Sequence, residues 1–521
     1  MRPALNESQA TSNLPGPKLL HFQVAICGAV VMLVEILGTR IIGPVFGVGL
    51  YVWSALLSIT LAALALGYVA GGSLADRLPQ RDWVSWVMVA SGSCLAIEPF
   101  LRPWVLSLAD ELGLKVGPVL AAFILFFPSL CFLGMVGPLA IRRLVERVEV
   151  AGRRAGGVYA LSTVGSLLGT FTVGFYLIPN FPVNALVLGA STLLLLAAAV
   201  PLFMRRRRVA VVAFVLPLAA ATQGPRSMPQ GFVSVDRAES LLGMVEVIDR
   251  EERNVRFLRM DHSIIGAQFK DTGAAGFAFL HIIEALRFAK PDAKSLLQIG
   301  LGAGSVPAAL AKHGMPFDVV EIDPAVVKMA EAHFGFHPSG LMAIEDARTF
   351  LRAKGRTYDV IVHDAFSGGS SPEHLFSSEM LELIKRRLAP NGLLVVNFVG
   401  FADGPYSAAT LAVNSTLGSQ FAVVRAFRDS APSEGPEGLS NVLFFASANA
   451  FSFPIPAGAT FETAECEQAA RGFESWEILK DAPHQLVITD AQNPLARLQA
   501  PIAAAHYESM SQLLPREVWI R

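Results

Sequence analysis

Charge is scarce in this chain of 521 residues: Asp, Glu, Lys and Arg together make up 16% of it. The two signs also cancel, 42 Lys and Arg against 43 Asp and Glu, for a net charge of −1. Without a basic excess to neutralise phosphates, the composition argues against a nucleic-acid binder and points to small or lipidic partners. Cysteine is nearly absent. Of four, Cys27, Cys94 and Cys131 fall in apolar segments and only Cys466 does not, which excludes a secreted disulfide framework. The Cys and His residues show no paired ligand spacing, so no metal site is expected. A Gly-x-Ser-x-Gly nucleophile elbow is missing. No signal peptide is expected, because the first apolar run is too long and lacks a small-residue cleavage pattern.

What is abundant is apolar sequence, with a mean hydropathy of +0.48. Long apolar runs lie near residues 20–46, 51–74, 83–101, 117–140, 157–179 and 183–204, each close to the ~20 residues a helix needs to cross the hydrocarbon layer. Six spans are predicted. A seventh run, Val209 to Thr222, contains Pro217 and falls short of the usual minimum of about 17 residues. Arginines collect in alternate loops, at Arg77 and Arg81, at Arg142 to Arg154 and at Arg205 to Arg208, so the positive-inside rule puts these loops in the cytoplasm. With six spans the C-terminal half is also cytoplasmic, and with seven it is outside; the balance favours a multi-pass inner-membrane protein with a cytoplasmic second half. Glu35 and Arg40 within the first run are read as a structural ion pair or a snorkelling arginine, with a lipid or substrate site as the alternative. Small residues over 66–72 and 165–169 suit close helix packing.

Polar sequence begins near Gln223. Alternation in 244–248 and 255–260 predicts antiparallel strands, followed by a helix over 273–288. Strands are then predicted at 295–299, 317–321, 357–363 and 392–398, separated by helices at 304–313, 324–333 and 373–388. This succession implies a mainly parallel sheet with helices on both faces. Gly300, Gly302 and Gly304 end the first of these strands, whereas a dinucleotide fingerprint would need a glycine at Ser305; the pattern fits an S-adenosyl pocket better. Glu321, Asp346 with Ala347, and Asp364 all follow strands or strand-like segments, so they should gather where open sheets bind ligands.

These motifs resemble the aminopropyltransferase (spermidine synthase) family, in particular its bacterial membrane-fused members. The resemblance rests on residues 256–261, 300–304 and 320–324, on Asp346-Ala347 and on Asp364 to Ser367 with Pro372 to Phe376. Glu35 to Arg40, Tyr159 to Ser166 and the closing stretch Thr489 to Leu495 add to it. It implies a polytopic α-helical membrane domain followed by an α/β Rossmann-like domain, of the class I S-adenosylmethionine-dependent methyltransferase type, with a small N-terminal β-region. The expected layout is a tail (1–20), a transmembrane domain (21–222), a β-strand region with linking helix (223–290), the catalytic domain (291–450) and a C-terminal extension packing on it (451–521).

The resemblance further implies that Glu321 binds ribose hydroxyls, that Asp346 and Ala347 receive the adenine, and that Asp364 orients or deprotonates an attacking amine. Weaker substrate contacts are expected from His281, Asp261 and Ser367, and His363 is a further candidate. No tightly bound cofactor is implied. The co-substrate would be decarboxylated S-adenosylmethionine, or S-adenosylmethionine itself, and methylthioadenosine the product of aminopropyl transfer to an amine such as putrescine. Small-molecule amine, lipid bilayer and a second copy of the chain are the expected partners. Three departures matter. Ala303 stands where the family usually carries an acid that holds the aminopropyl amine, Ser367 stands where a second Asp is usual, and Phe279-Leu280-His281 replaces a Tyr followed by Gln or His. Aminopropyl transfer is therefore one expectation, methyl or aminocarboxypropyl transfer to another, lipid-associated acceptor a second, and a non-catalytic polyamine or nucleoside sensor or transporter a third. Residues 429–440, rich in Ser, Pro, Glu and Gly, are read as a mobile loop, either a cover over the site or a plain surface connection.

Overall fold

The computed structural model describes residues 16–78, 82–145, 147–203, 227–240, 242–353, 355–366, 369–429, 438–461, 463–480 and 486–520. The predicted seventh run, Arg205 to Arg208, Ser367 and most of the 429–440 loop lie outside the described residues. The chain forms two units, Met1–Ser227 with Trp519–Arg521, and Met228–Val518.

The first unit is helical: α1 (Pro17–Phe46), α2 (Leu50–Arg77), α3 (Trp83–Asp110), α4 (Gly113–Leu125), α5 (Phe127–Leu144), α6 (Ala151–Thr172) and α7 (Val183–Phe203). Helix α6 runs on through a π-turn at Val173–Leu177 to Asn180. Among the described residues, six helices are long and apolar enough to cross a membrane. One predicted run is corrected: 117–140 is not one helix but α4 and α5, which meet at Phe126. Pro128 in the first turn of α5 explains the break, because its ring and missing N–H stop the preceding turn from continuing. Hydropathy cannot register this. The small-residue stretches pack as expected: Gly67 and Gly71 face the backbone of Cys131 to Met135, and Gly165 and Gly169 face that of Ala25 and Ala29. A buried charge pair went unread. Glu98 accepts two bonds from Arg102, at 2.9 and 2.8 Å, and Arg102 also donates to Asn184 at 2.7 Å.

The second unit begins with an antiparallel sheet ordered β1 (Phe232–Glu239), β2 (Met244–Arg250), β3 (Val255–Met260) and β4 (Ser263–Phe269). Inside it Arg259 and Glu246 are fully buried and paired at 2.7 Å. The main sheet comprises β5 (Leu296–Ile299), β6 (Phe317–Glu321), β7 (Met342–Ile344), β8 (Tyr358–His363), β9 (Leu388–Phe401), β10 (Val423–Arg428), β11 (Leu439–Ser447) and β12 (Glu477–Ile478). Their order is β12-β10-β11-β9-β8-β5-β6-β7. The five strands from β9 to β7 are parallel and the β11, β10, β12 edge is antiparallel. This is the mixed α/β sheet of the methyltransferase-like fold.

Period-two alternation divides its core. Leu296, Val319, Val360 and Val395 pack on one face, while Leu297, Val320, Ile361 and Val396 pack on the other, as strands covered on both sides require. The helices that frame the site are α8 (Ala278–Ile283), α9 (Ser305–Ala311), α10 (Pro324–His333), α11 (Ala347–Arg352), α12 (Ser378–Arg387), α13 (Ala408–Gln420), α14 (Ala464–Gly472) and α15 (Ala500–Leu513). The predicted helix over 273–288 is shorter than expected, reduced to α8 and a single turn at Leu286–Ala289.

Candidate active site

A cavity of about 280 Å³ opens at the carboxyl ends of the parallel strands, lined by Gly300 and Gly302 after β5, Glu321 at the end of β6, Asp346 and Ala347 after β7, and Asp364 after β8. These residues lie at a strand's last backbone pair or just beyond it, where the chain leaves the sheet and faces the open crevice. The turn after β5 is glycine by necessity. Gly300 and Gly302 have φ of 80° and 55°, and an added Cβ would strike the carbonyl of Asp364 at the first and that of Ile265 at the second. What these glycines permit is close approach of the chain's own backbone around the cavity. Gly304, also at positive φ, caps α9 and does not line the cavity.

Glu321 is fixed by backbone. Its Oε2 accepts from Leu301 N at 2.8 Å and its Oε1 from Asp323 N at 2.9 Å. Burial raises its pKa, against the lowering effect of these bonds. Asp323 in turn caps α10, accepting from Ala325 N at 2.9 Å, and takes the Ser240 hydroxyl at 2.6 Å. Asp346 caps α11 through Thr349 N at 2.9 Å, and its other oxygen meets His374 Nε2 at 3.0 Å. Burial alone would raise Asp346, but the bonds from His374 and Thr349 outweigh it and hold the carboxyl below its ordinary value. The closing stretch braces this corner: Arg348 pairs with Asp490, and Asn493 Nδ2 donates to Glu373 O at 2.9 Å.

Asp364 has one side-chain partner of a different kind. Asn397, on β9, donates from Nδ2 to its Oδ1 at 2.8 Å. Burial pushes the Asp364 carboxyl up to about 6, with the Asn397 bond opposing. A carboxylate in that range is poised as a base near neutral pH. Asn397 was missed by sequence reasoning, although a lone amide inside the apolar strand Val395-Val396-Asn397-Phe398 is a signal. Also missed was α15, which supplies His506, Ser509 and Met510 to the cavity wall. His506 is buried, which drives its pKa down to about 4; it lies 3.1 Å from Ser263 Oγ and edge-on to Phe366 at 5.0 Å. Five carboxylates, Glu321, Asp323, Glu345, Asp346 and Asp364, line the cavity, and no Lys or Arg is among its described lining residues.

Three expected substrate contacts are corrected. His281 does not line the cavity; Phe279, two residues earlier on α8, does, and His281 Nδ1 instead lies 2.7 Å from Cys466 Sγ. Asp261 sits at φ 47° in the turn between β3 and β4, where it is buried and accepts from Met244 N at 3.0 Å; it clamps that turn. His363 is buried among Leu375 and Phe376, with Nε2 3.1 Å from Leu375 O, because it points to the packed face of β8 while the next residue, Asp364, reaches the crevice. Nor was a cluster of metal-binding residue types foreseen, yet His281, Glu284 and Cys466 come together.

Residues 281–398 match the spermine/spermidine synthase domain. The matched stretch makes up less than a quarter of this chain. Over 480 residues, 81% of this chain and 84% of the other, it is 29% identical to an N-terminal histidine N-methyltransferase of Emericella nidulans. A polyamine aminopropyltransferase of Vibrio vulnificus is 41% identical over 128 residues, 23% of this chain and 43% of that one, so the match spans less than half of that relative. A probable spermidine synthase of Corynebacterium glutamicum aligns in structure with a TM-score of 0.40 and 20% identity, over 50% of this chain and 97% of that one.

Proposed function

We propose that this chain is an S-adenosylmethionine-dependent transferase that moves a methyl group onto a nitrogen acceptor. The adenosine is held by Glu321 through its ribose and by Asp346 and Ala347 through its base, and Asp364 receives the acceptor's proton. The chemistry needs little more than alignment. The acceptor nitrogen's lone pair forms a bond to the methyl carbon, the carbon–sulfur bond breaks, and its electron pair returns to sulfur to leave a neutral thioether. The nitrogen's proton passes to the Asp364 carboxylate.

The observation that carries methyl rather than aminopropyl transfer is that a single carboxylate, Asp364, serves the reacting end. Ala303 is buried, with its Cβ against Gly266, and Asp364 is the one carboxylate on the β5 and β8 side of the cavity among the described lining residues. One carboxylate cannot hold a donor ammonium and both ends of a diamine. The long match to an N-terminal histidine N-methyltransferase supports the same reading and makes a peptide with an N-terminal histidine the first acceptor to try. A second reading, aminopropyl transfer from the decarboxylated donor, is favoured by the domain match and by the lack of Lys or Arg among the described lining residues, since that donor has no carboxylate to neutralise. The six apolar helices support a multi-pass, membrane-anchored enzyme.

The test is mass spectrometry of full-length protein in detergent, with ordinary and decarboxylated S-adenosylmethionine in parallel, offered a polyamine mixture and a peptide beginning with histidine. Methylated product from the ordinary donor alone is expected. Aminopropylated product with methylthioadenosine, from the decarboxylated donor alone, would replace this reading with the second. Binding of donor without transfer from either would leave a sensor.

A further inference from the structure

We infer that His281, Glu284 and Cys466 form a binding site for a thiophilic divalent cation such as zinc. Their ligand atoms all lie within 4.8 Å of one another, although His281 and Cys466 are 185 positions apart in the chain. The fold builds the cluster from two helices. His281 lies on α8 and Glu284 is the residue that ends it, so their three-residue spacing puts both on one helical face. Cys466 lies in the first turn of α14, where its own N–H is fixed by the Thr463 hydroxyl at 3.2 Å. Glu284 and Cys466 are buried, at 4% and 1% exposure, and His281 is half-buried.

One sulfur, one imidazole nitrogen and one carboxylate oxygen are a zinc donor set, with a water or a fourth residue completing the tetrahedron. Local charge matches a divalent ion. Glu284, a Cys466 thiolate and Glu465, which interacts electrostatically with His281, give three negative charges. Arg287 interacts with Glu284 and Cys466 and offsets one of them. Arg287 is itself tied elsewhere, donating to Thr460 O at 2.5 Å and stacking over Phe288 and Phe461 at 4.5 and 5.0 Å. The His281 Nδ1 to Cys466 Sγ separation of 2.7 Å must open by roughly one ångström to span a tetrahedral ion with bonds of about 2.0 and 2.3 Å. The partly exposed imidazole is the group with room to move.

None of the three residues lines the cavity, so the ion's role is structural. It ties α14 to α8, and α8 carries Phe279, which does line the cavity. The ion thus pins one wall of the active site.

The test uses tag-free full-length protein, purified in detergent from zinc-supplemented cells, and does not depend on which group the enzyme transfers. Metal content by mass spectrometry should be stoichiometric. Cobalt added after chelation should give a thiolate-to-cobalt charge-transfer band. Cys466→Ser should lose both the band and the stoichiometric metal, and Glu284→Gln should weaken cobalt binding while preserving the fold by circular dichroism. A combined Ser replacement of Cys27, Cys94 and Cys131 should retain the band. Folded wild-type protein with neither metal nor a cobalt band would overturn the site, as would Cys466→Ser protein that keeps both.

Discussion

Asp364→Asn separates the two consequences of placing a carboxylate in this cavity. Burial lifts the Asp364 pKa from 3.8 to about 6, a displacement of about two units, and each unit is worth about 1.4 kcal/mol between protonation states. The folded protein therefore holds the proton more tightly than the unfolded chain. The sign follows: stability from this group is fully present below about pH 4, is lost as pH rises through about 6, and is constant above that. The full penalty at neutral pH is about 3 kcal/mol. Asp364 keeps partial contact with the cavity solvent, which reduces the figure to about 1–2 kcal/mol. Asparagine has no charge to desolvate and can still accept the Asn397 Nδ2 bond, while Asn397 Oδ1, which has no protein partner, is available to the new amide.

The substitution should therefore stabilise the fold at neutral pH while turnover falls by about 10²–10⁴-fold. Thermal unfolding of full-length protein in detergent should show Asp364→Asn melting about 2–6 °C higher at neutral pH, with the difference vanishing near pH 4. Wild-type turnover should climb as pH rises through about 6. A mutant that melts lower at neutral pH would refute the desolvation argument, and one that turns over at the wild-type rate would refute the role as base.

Three other substitutions probe the frame. Glu321→Gln puts an amide N–H against one of the backbone donors of Leu301 and Asp323, so donor affinity by calorimetry should fall at least about tenfold and stability by about 1–3 kcal/mol; unchanged affinity would remove its ribose role. Asp346→Ala deletes the cap of α11 and should cost about 1 kcal/mol together with weaker adenosine binding, whereas a loss of stability alone would make Asp346 only a cap. Gly300→Ala forces φ of 80° on a side chain and drives its Cβ against the Asp364 carbonyl, so it should cost more than about 1–3 kcal/mol and displace Asp364, abolishing turnover; wild-type melting and turnover would contradict that geometry.

The parts of this molecule that were legible in its sequence are those whose structure is decided locally. Strand β6 and helix α10 were predicted at 317–321 and 324–333 and occur at Phe317–Glu321 and Pro324–His333. A short apolar run, an Asp cap and a first-turn proline fix those boundaries without help from elsewhere. For the same reason Glu321, Asp346 and Asp364 could be placed: a residue that ends a parallel strand has only one place to go. His281 failed because the alternative faces of α8 are set by what packs on them, and that partner, Cys466, arrives from a helix far along the chain. Helices α4 and α5 failed because hydropathy averages over Pro128. Asn397 and His506 needed a different kind of information, since each touches the site from an element whose own pattern concerns only core packing. Local rules therefore marked the strand-end positions at which donor contacts are proposed. The rest of the wall, with Asn397 from β9 and His506 from α15, is assembled from distant segments, and local rules do not reach it.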